Sequence, residues 1–104
     1  MTHEIIFAPE AQTDLLKLYD DIETNSGAER ARDYTDHIIA QCLSLANFPE
    51  RGRRRDDLRP ELRIISFRRR VTIAFHITAT TVIIDHVLYG VRDLKPLFDE
   101  EDDD

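Results

Sequence analysis

The chain has 104 residues, 41% hydrophobic and 34% charged, with a formal net charge of −7, which suits one folded domain and leaves no room for a second core. Its single cysteine, Cys42, excludes an internal disulfide and fits a reducing compartment. No apolar run reaches the roughly eighteen residues of a membrane span, and the N-terminus lacks a signal peptide's basic start and apolar stretch, so the cytoplasm is the expected location.

In chain order, His3–Phe7 is a short apolar run with β-branched Ile5 and Ile6, and it predicts a strand. Pro9 and Glu10 suit the first turn of a helix, where proline loses no hydrogen bond and an acid favours the dipole. Ala11, Leu15, Leu18 and Ile22 follow at helical spacing, with Gln12, Asp14, Lys17, Asp20, Asp21 and Glu23 marking wet faces. Asn25-Ser26-Gly27 stops this helix as a three-residue turn. A second helix starts near Ala28, with Ala31, Tyr34, Ile38, Cys42 and Leu45 on one face, and it is expected to end around Asn47-Phe48 before Pro49. Tyr19, Ile39 and Leu43 lie beside the two core stripes and leave apolar area for a partner helix to cover.

Nine of the fourteen basic residues, all arginine, then fall between Arg51 and Arg70 beside three acids, so this segment carries +6. Residues 1–50 sum to −7, residues 71–98 to zero, and Asp99–Asp104 to −6. Guanidinium groups hold planar, bidentate geometry on carboxylates and phosphates, so the block reads as a binding surface. The alternative is a loop whose arginines pair with the chain's own acids.

Leu62–Phe67 predicts a strand, and Val71, Ile73, Phe75 and Ile77 alternate with Thr72, Ala74, His76 and Thr78 as a second. Thr80-Thr81 turns into Val82–Tyr89, apolar on both faces and therefore a central strand. Near the end, Asp93–Phe98 predicts a short helical turn that packs Leu94 or Phe98 on the core. The fold class is α+β. An N-terminal strand and a two-helix antiparallel hairpin precede a three-stranded antiparallel sheet, in the order β-α-α-β-β-β. Residues 1–98 form one domain, and 99–104 an acidic, disordered tail.

Four stretches together resemble the ParE branch of the RelE/ParE toxin superfamily. They are Ala11-x-x-Asp14-Leu15, Leu45-x-x-Phe48-Pro49-x-x-Gly52, Asp57-Leu58-Arg59-Pro60-Glu61-Leu62-Arg63 and Val87-Leu88-Tyr89-Gly90-Val91-Arg92-Asp93, spread over residues 3–98. Two positions depart from that pattern: chains of this kind often have His for Tyr89, and often Gly for Glu61. The resemblance implies the toxin of a type II toxin–antitoxin pair, held inactive by an antitoxin that wraps its helices and sheet. ParE-like toxins act on DNA gyrase, whereas RelE-like toxins on the same fold cleave mRNA on the ribosome. A module that only binds its antitoxin is a third reading, with any DNA contact made through the antitoxin.

Gyrase inhibition by protein contact places Arg59, Arg63, Arg70, Tyr89 and Arg92 at or near the target- or antitoxin-binding surface, with no catalytic residue. RNA cleavage needs a base, an acid and cations at the phosphate, for which Glu61, Arg63, His76, His86 and Tyr89 are the candidates. In a regular last strand His86 and Tyr89 point to opposite faces and do not converge unless a bulge shifts the register. Glu61, flanked by Arg59 and Arg63, reads as an ion-paired carboxylate. His3, His37, His76 and His86 lack ligand spacing, so neither metal nor cofactor is expected. Cys42, on a buried helix face, is not a nucleophile. No aromatic residue interleaves with Arg51–Arg59, which argues against specific DNA binding by the chain itself.

Overall fold

In the computed structural model, which describes residues 2–91 and 93–99, the alternating run Val71–Ile77 forms the middle strand of a five-stranded sheet. The elements are β1 (Glu4–Phe7), α1 (Pro9–Ser26), α2 (Ala28–Leu43), a 3-10 turn (Ser44–Ala46), β2 (Arg53–Arg54), β3 (Arg63–Phe67), β4 (Val71–Ile77), β5 (Thr81–Tyr89) and α3 (Lys95–Asp99). The sheet order is β1-β5-β4-β3-β2. β1 runs parallel to β5, with Ile5 opposite Val82 and Phe7 opposite Ile84, and every other pairing is antiparallel.

The two faces of the sheet are covered differently. Val71, Ile73 and Phe75 of β4 and Val82, Ile84 and Val87 of β5 meet Ala11, Leu18, Ile38 and Cys42 of the helices. Burying side chains of this size contributes roughly 1.5–3 kcal/mol each, which makes this face the main source of stability. On the opposite face Leu58, Leu62, Ala74, Leu88, Leu94 and Phe98 form a smaller core, so the arginine-rich loop and α3 close the side that the helices leave open. Both Leu94 and Phe98 are buried there.

Three boundaries differ from the sequence expectation. The helical hairpin turns on Gly27 alone, because α1 continues through Ser26 and α2 starts at Ala28. A φ of 95° at Gly27 reverses the chain in one residue. α2 stops at Leu43 and tightens into the 3-10 turn, which keeps Leu45 buried; Ser44 Oγ donates to Gln41 O at 2.6 Å. Finally, Arg53 and Arg54 form a two-residue edge strand on β3, opposite Ile64 and Arg63. Two exposed arginines carry no apolar alternation, so the pattern gives no sign of it.

Gly52 marks where this edge strand meets the sheet. Its φ is 76°, and a Cβ there would overlap both the Ile64 carbonyl and the Ile65 side chain. Gly52→Ala is expected to cost about 2–4 kcal/mol in urea denaturation. At Gly27 a Cβ meets nothing within 4 Å, so Gly27→Ala should cost only the backbone strain, about 1–2 kcal/mol. Equal losses at the two sites would contradict the close approach at Gly52.

Candidate functional site

The arginine-rich block divides into parts with different chemistry. In its first half the arginines serve their own loop. Arg54 pairs with Asp56 at 2.9 Å, and Arg55 grips both oxygens of Asp57 at 2.9 Å. These guanidinium hydrogen bonds hold both carboxyls below the usual range, and Asp56 is helped by the Glu61 N–H. That N–H donates to Asp56 Oδ1 at 2.7 Å. Glu61 itself has φ 65°, a left-handed backbone that glycine favours, and a glutamate holds it here. Leu58 and Leu62 plug the loop into the second core.

Arg59 turns inward rather than out. Its Nη1 lies 3.7 Å from Asp85 Oδ1, and its guanidinium sits 4.9 Å from the centre of the Phe98 ring. Asp85 exists at that spot because β5 carries a bulge. Ala74 faces His86 and Phe75 faces Ile84, which leaves Asp85 as the extra residue. Its other oxygen lies 2.7 Å from His76 Nδ1. Arg59, Asp85 and His76 thus form one partly buried polar cluster on the second face.

A second carboxylate stands at the outer edge of β5. Asp14 Oδ2 accepts the Val87 N–H at 2.9 Å and lies 3.0 Å from His86 Nδ1. β1 pairs β5 only from Thr81 to Ile84, so Asp14 supplies the acceptor that a longer β1 would have offered. Asp14 is therefore not one of the wet-face residues of α1. The signal was present in the spacing: Ala11, Asp14, Leu15 and Leu18 share one helical face, an acid set within an apolar stripe. The His86 ring then meets Phe98 edge-on at 5.7 Å.

The bulge precedes His86, so it leaves the parity between His86 and Tyr89 untouched. His86 faces α3, whereas the Tyr89 hydroxyl accepts from Arg70 Nη1 at 3.4 Å, on the side of α2. Arg63 is elsewhere again. It pairs across β3–β4 with Phe75 on the helix-covered face, and donates to Arg51 O at 3.3 Å. The Glu61 carboxylate makes no ion pair within 4 Å among the described residues, which corrects its reading as an ion-paired group; its charge acts on Arg54. The expected site residues are thus divided: Arg59, His76 and His86 lie on the second face around Asp85 and Phe98, Arg63 lies with Arg51, Arg70 with Tyr89, and Glu61 at the turn of the loop. Arg92 lies outside the described residues, as do residues 100–104.

Two other features bear on function. Between β1 and the helices runs an apolar groove of about 690 Å³, lined by Ile5, Ile6, Leu15, Leu16, Tyr19 and Ile39 among others. Leu16 is 67% exposed on its rim. Among the described residues no three His, Cys, Asp or Glu side chains are placed to hold a metal. Burial pushes the Cys42 thiol up to about 12, so it stays protonated. No helix is long and apolar enough to cross a membrane among the described residues.

The family model described as "ParE toxin of type II toxin-antitoxin system, parDE" matches residues 5–94. A solved structure of the chromosomal ParDE TA system from P. aeruginosa has a TM-score of 0.76 to this chain at 20% identity, covering 86% of this chain and 98% of that one. At that identity the likeness speaks for the fold. No curated protein matches the chain.

Replacing Asp14 by Ala strands a partly buried N–H and removes the partner of His86. The expected loss is about 1–3 kcal/mol of stability, with faster amide exchange at Val87 than elsewhere in β5. Unchanged exchange at Val87 would show that Asp14 does not hold this edge.

Proposed function

The chain belongs to the ParE toxin family and is the toxin component of a ParDE-type toxin–antitoxin pair, and from that premise we propose that it inhibits DNA gyrase by protein–protein contact. The observation that carries this reading is that each candidate histidine is already held by a carboxylate and that Tyr89 stands on the other face of the sheet. His76 is bound to Asp85, His86 to Asp14 and Phe98, and Tyr89 faces the other side of the sheet. General acid–base cleavage needs such groups within reach of one phosphate, and this arrangement favours contact over chemistry. Arg63, Arg70, Tyr89 and Arg92 make the contact surface, and Arg59 supports it from beneath through Asp85 and Phe98.

The antitoxin occupies the groove between β1 and the helices. An amphipathic helix there would cover Ile6, Leu16, Tyr19 and Ile39, the mode in which a partner lays its apolar stripe into a preformed channel. This site is remote in sequence from the arginines, so the two interfaces can be broken separately.

The test is purified toxin against gyrase-catalysed supercoiling of relaxed plasmid. Wild-type protein is expected to inhibit. Arg70→Glu should weaken inhibition at least about tenfold, a loss of roughly 1.4 kcal/mol or more of contact energy, with an unchanged melting temperature. Leu16→Glu should inhibit normally yet escape neutralisation by the antitoxin. Supercoiling that proceeds untouched while a translation extract loses its mRNA would replace this reading by ribosome-dependent cleavage.

A further inference from the structure

The hairpin between β3 and β4 closes on Arg68 and Arg69, with the Arg70 N–H donating to Phe67 O at 3.2 Å. Both central residues have left-handed backbone, φ 51° and 63°. Two-residue hairpin loops of this kind favour Asn and Gly, and arginine holds the same shape at a conformational cost. Strain retained at two adjacent residues points to a task at that place.

The surroundings say what the task is. Arg68 lies 4.9 Å from the Phe67 ring centre and 5.5 Å from that of Tyr34, and the two rings meet edge-on at 5.5 Å. Arg70 reaches the Tyr89 hydroxyl. The Tyr34 hydroxyl is shut off from solvent and has no hydrogen-bond partner among the described residues. Unlike Arg54, Arg55 and Arg59, the three turn arginines make no carboxylate pair among the described residues. Guanidinium groups only donate, and both phenols have a proton to give, so the corner is rich in donors and poor in acceptors. Burial, foremost, and the nearby Tyr89 hold the Tyr34 phenol above its ordinary range, against the pull of Arg68 and Arg70, so it remains a donor.

We propose that Arg68, Arg69 and Arg70 with Tyr89 form a phosphate-binding corner for a single strand of nucleic acid, with the Tyr34 ring backing Arg68 from beneath. The phosphate oxygens accept from the guanidinium groups and from the Tyr89 phenol. The Tyr89 ring, 49% exposed beside Arg70, offers a face on which the adjoining base stacks. That ring distinguishes a nucleotide from an acidic peptide, which would use the charges and leave the ring idle. The platform absent from Arg51–Arg59 is thus supplied by residues distant in sequence from one another. Binding here is blind to base sequence, and because Arg70 and Tyr89 also belong to the proposed gyrase contact, the deciding variant changes only Arg68 and Arg69, which that contact does not use.

The test measures anisotropy of a fluorescein-labelled single-stranded oligonucleotide of about twelve nucleotides against the full chain. The variant is Arg68→Asn with Arg69→Gly, which relieves the turn. It should unfold at higher temperature than wild type yet bind about tenfold more weakly, and its logarithmic salt slope should shrink by about 1–2. Arg54→Ala with Arg55→Ala should bind within about twofold of wild type. The proposal is overturned if the relieved turn binds as well as wild type, or if the loop variant loses as much. No binding by wild type at about 20 mM salt would overturn it too. So would a competition in which poly-glutamate occupies the protein and the oligonucleotide does not.

Discussion

β5 needs a partner for every polar backbone group along its length, and the rest of the domain is arranged to provide them. β4 runs along one edge throughout, while β1 covers only the first half of the other. Beyond Ile84, the Asp14 carboxylate does what a strand would have done. That side chain pins α1 to the outer edge of β5, beside the apolar contacts that Ala11 and Leu18 make with the sheet. Because α2 follows after one residue, the whole hairpin inherits that placement. The apolar groove opens between β1 and this hairpin, lined by Ile5 and Ile6 on one side and by Leu15, Leu16, Tyr19 and Ile39 on the other.

Magnitudes separate what holds the arginine-rich loop from what merely decorates it. The Arg54–Asp56 and Arg55–Asp57 pairs are two residues apart and largely exposed, and solvent screening leaves such pairs little net effect on stability. Leu58 and Leu62 are buried in the second core, where each contributes roughly 1.5–3 kcal/mol. The leucines anchor the loop, and the ion pairs keep its charge from repelling itself. Arg59 differs again, since its position between Asp85 and the Phe98 ring ties the loop to the C-terminal helix.

Periodicity made most of the fold legible. Clean alternation at Val71–Ile77 and helical spacing at Ala11–Ile22 each come from one face meeting one core, and the structure has β4 and α1 there. The charged Arg53–Arg54 strand was hidden because it is held by backbone bonds with no apolar pattern to betray it. The site was less readable for a related reason. Arg59 and Arg63 are four residues apart, but the turn at Glu61 sends one under the sheet's second face and the other to the helix-covered face. Spacing along the chain carries no information about such a reversal unless the left-handed residue is a glycine, and here it is glutamate. The bulge at Asp85 is equally silent, since its extra residue is set by the pairing of two strands.

The short outer strand has a consequence for how a partner can recognise this surface. β1 offers four residues, and its ends are already engaged: the His3 N–H donates to Ala46 O at 2.8 Å, and Gln12 Nε2 to Phe7 O at 2.9 Å. A visiting strand would find too little free backbone to set its register by main-chain bonding. Discrimination between partners must then reside in the shapes and volumes of the apolar side chains they insert. Sharing a fold would not be enough for a partner to fit here; the groove selects for apolar side chains that match its lining.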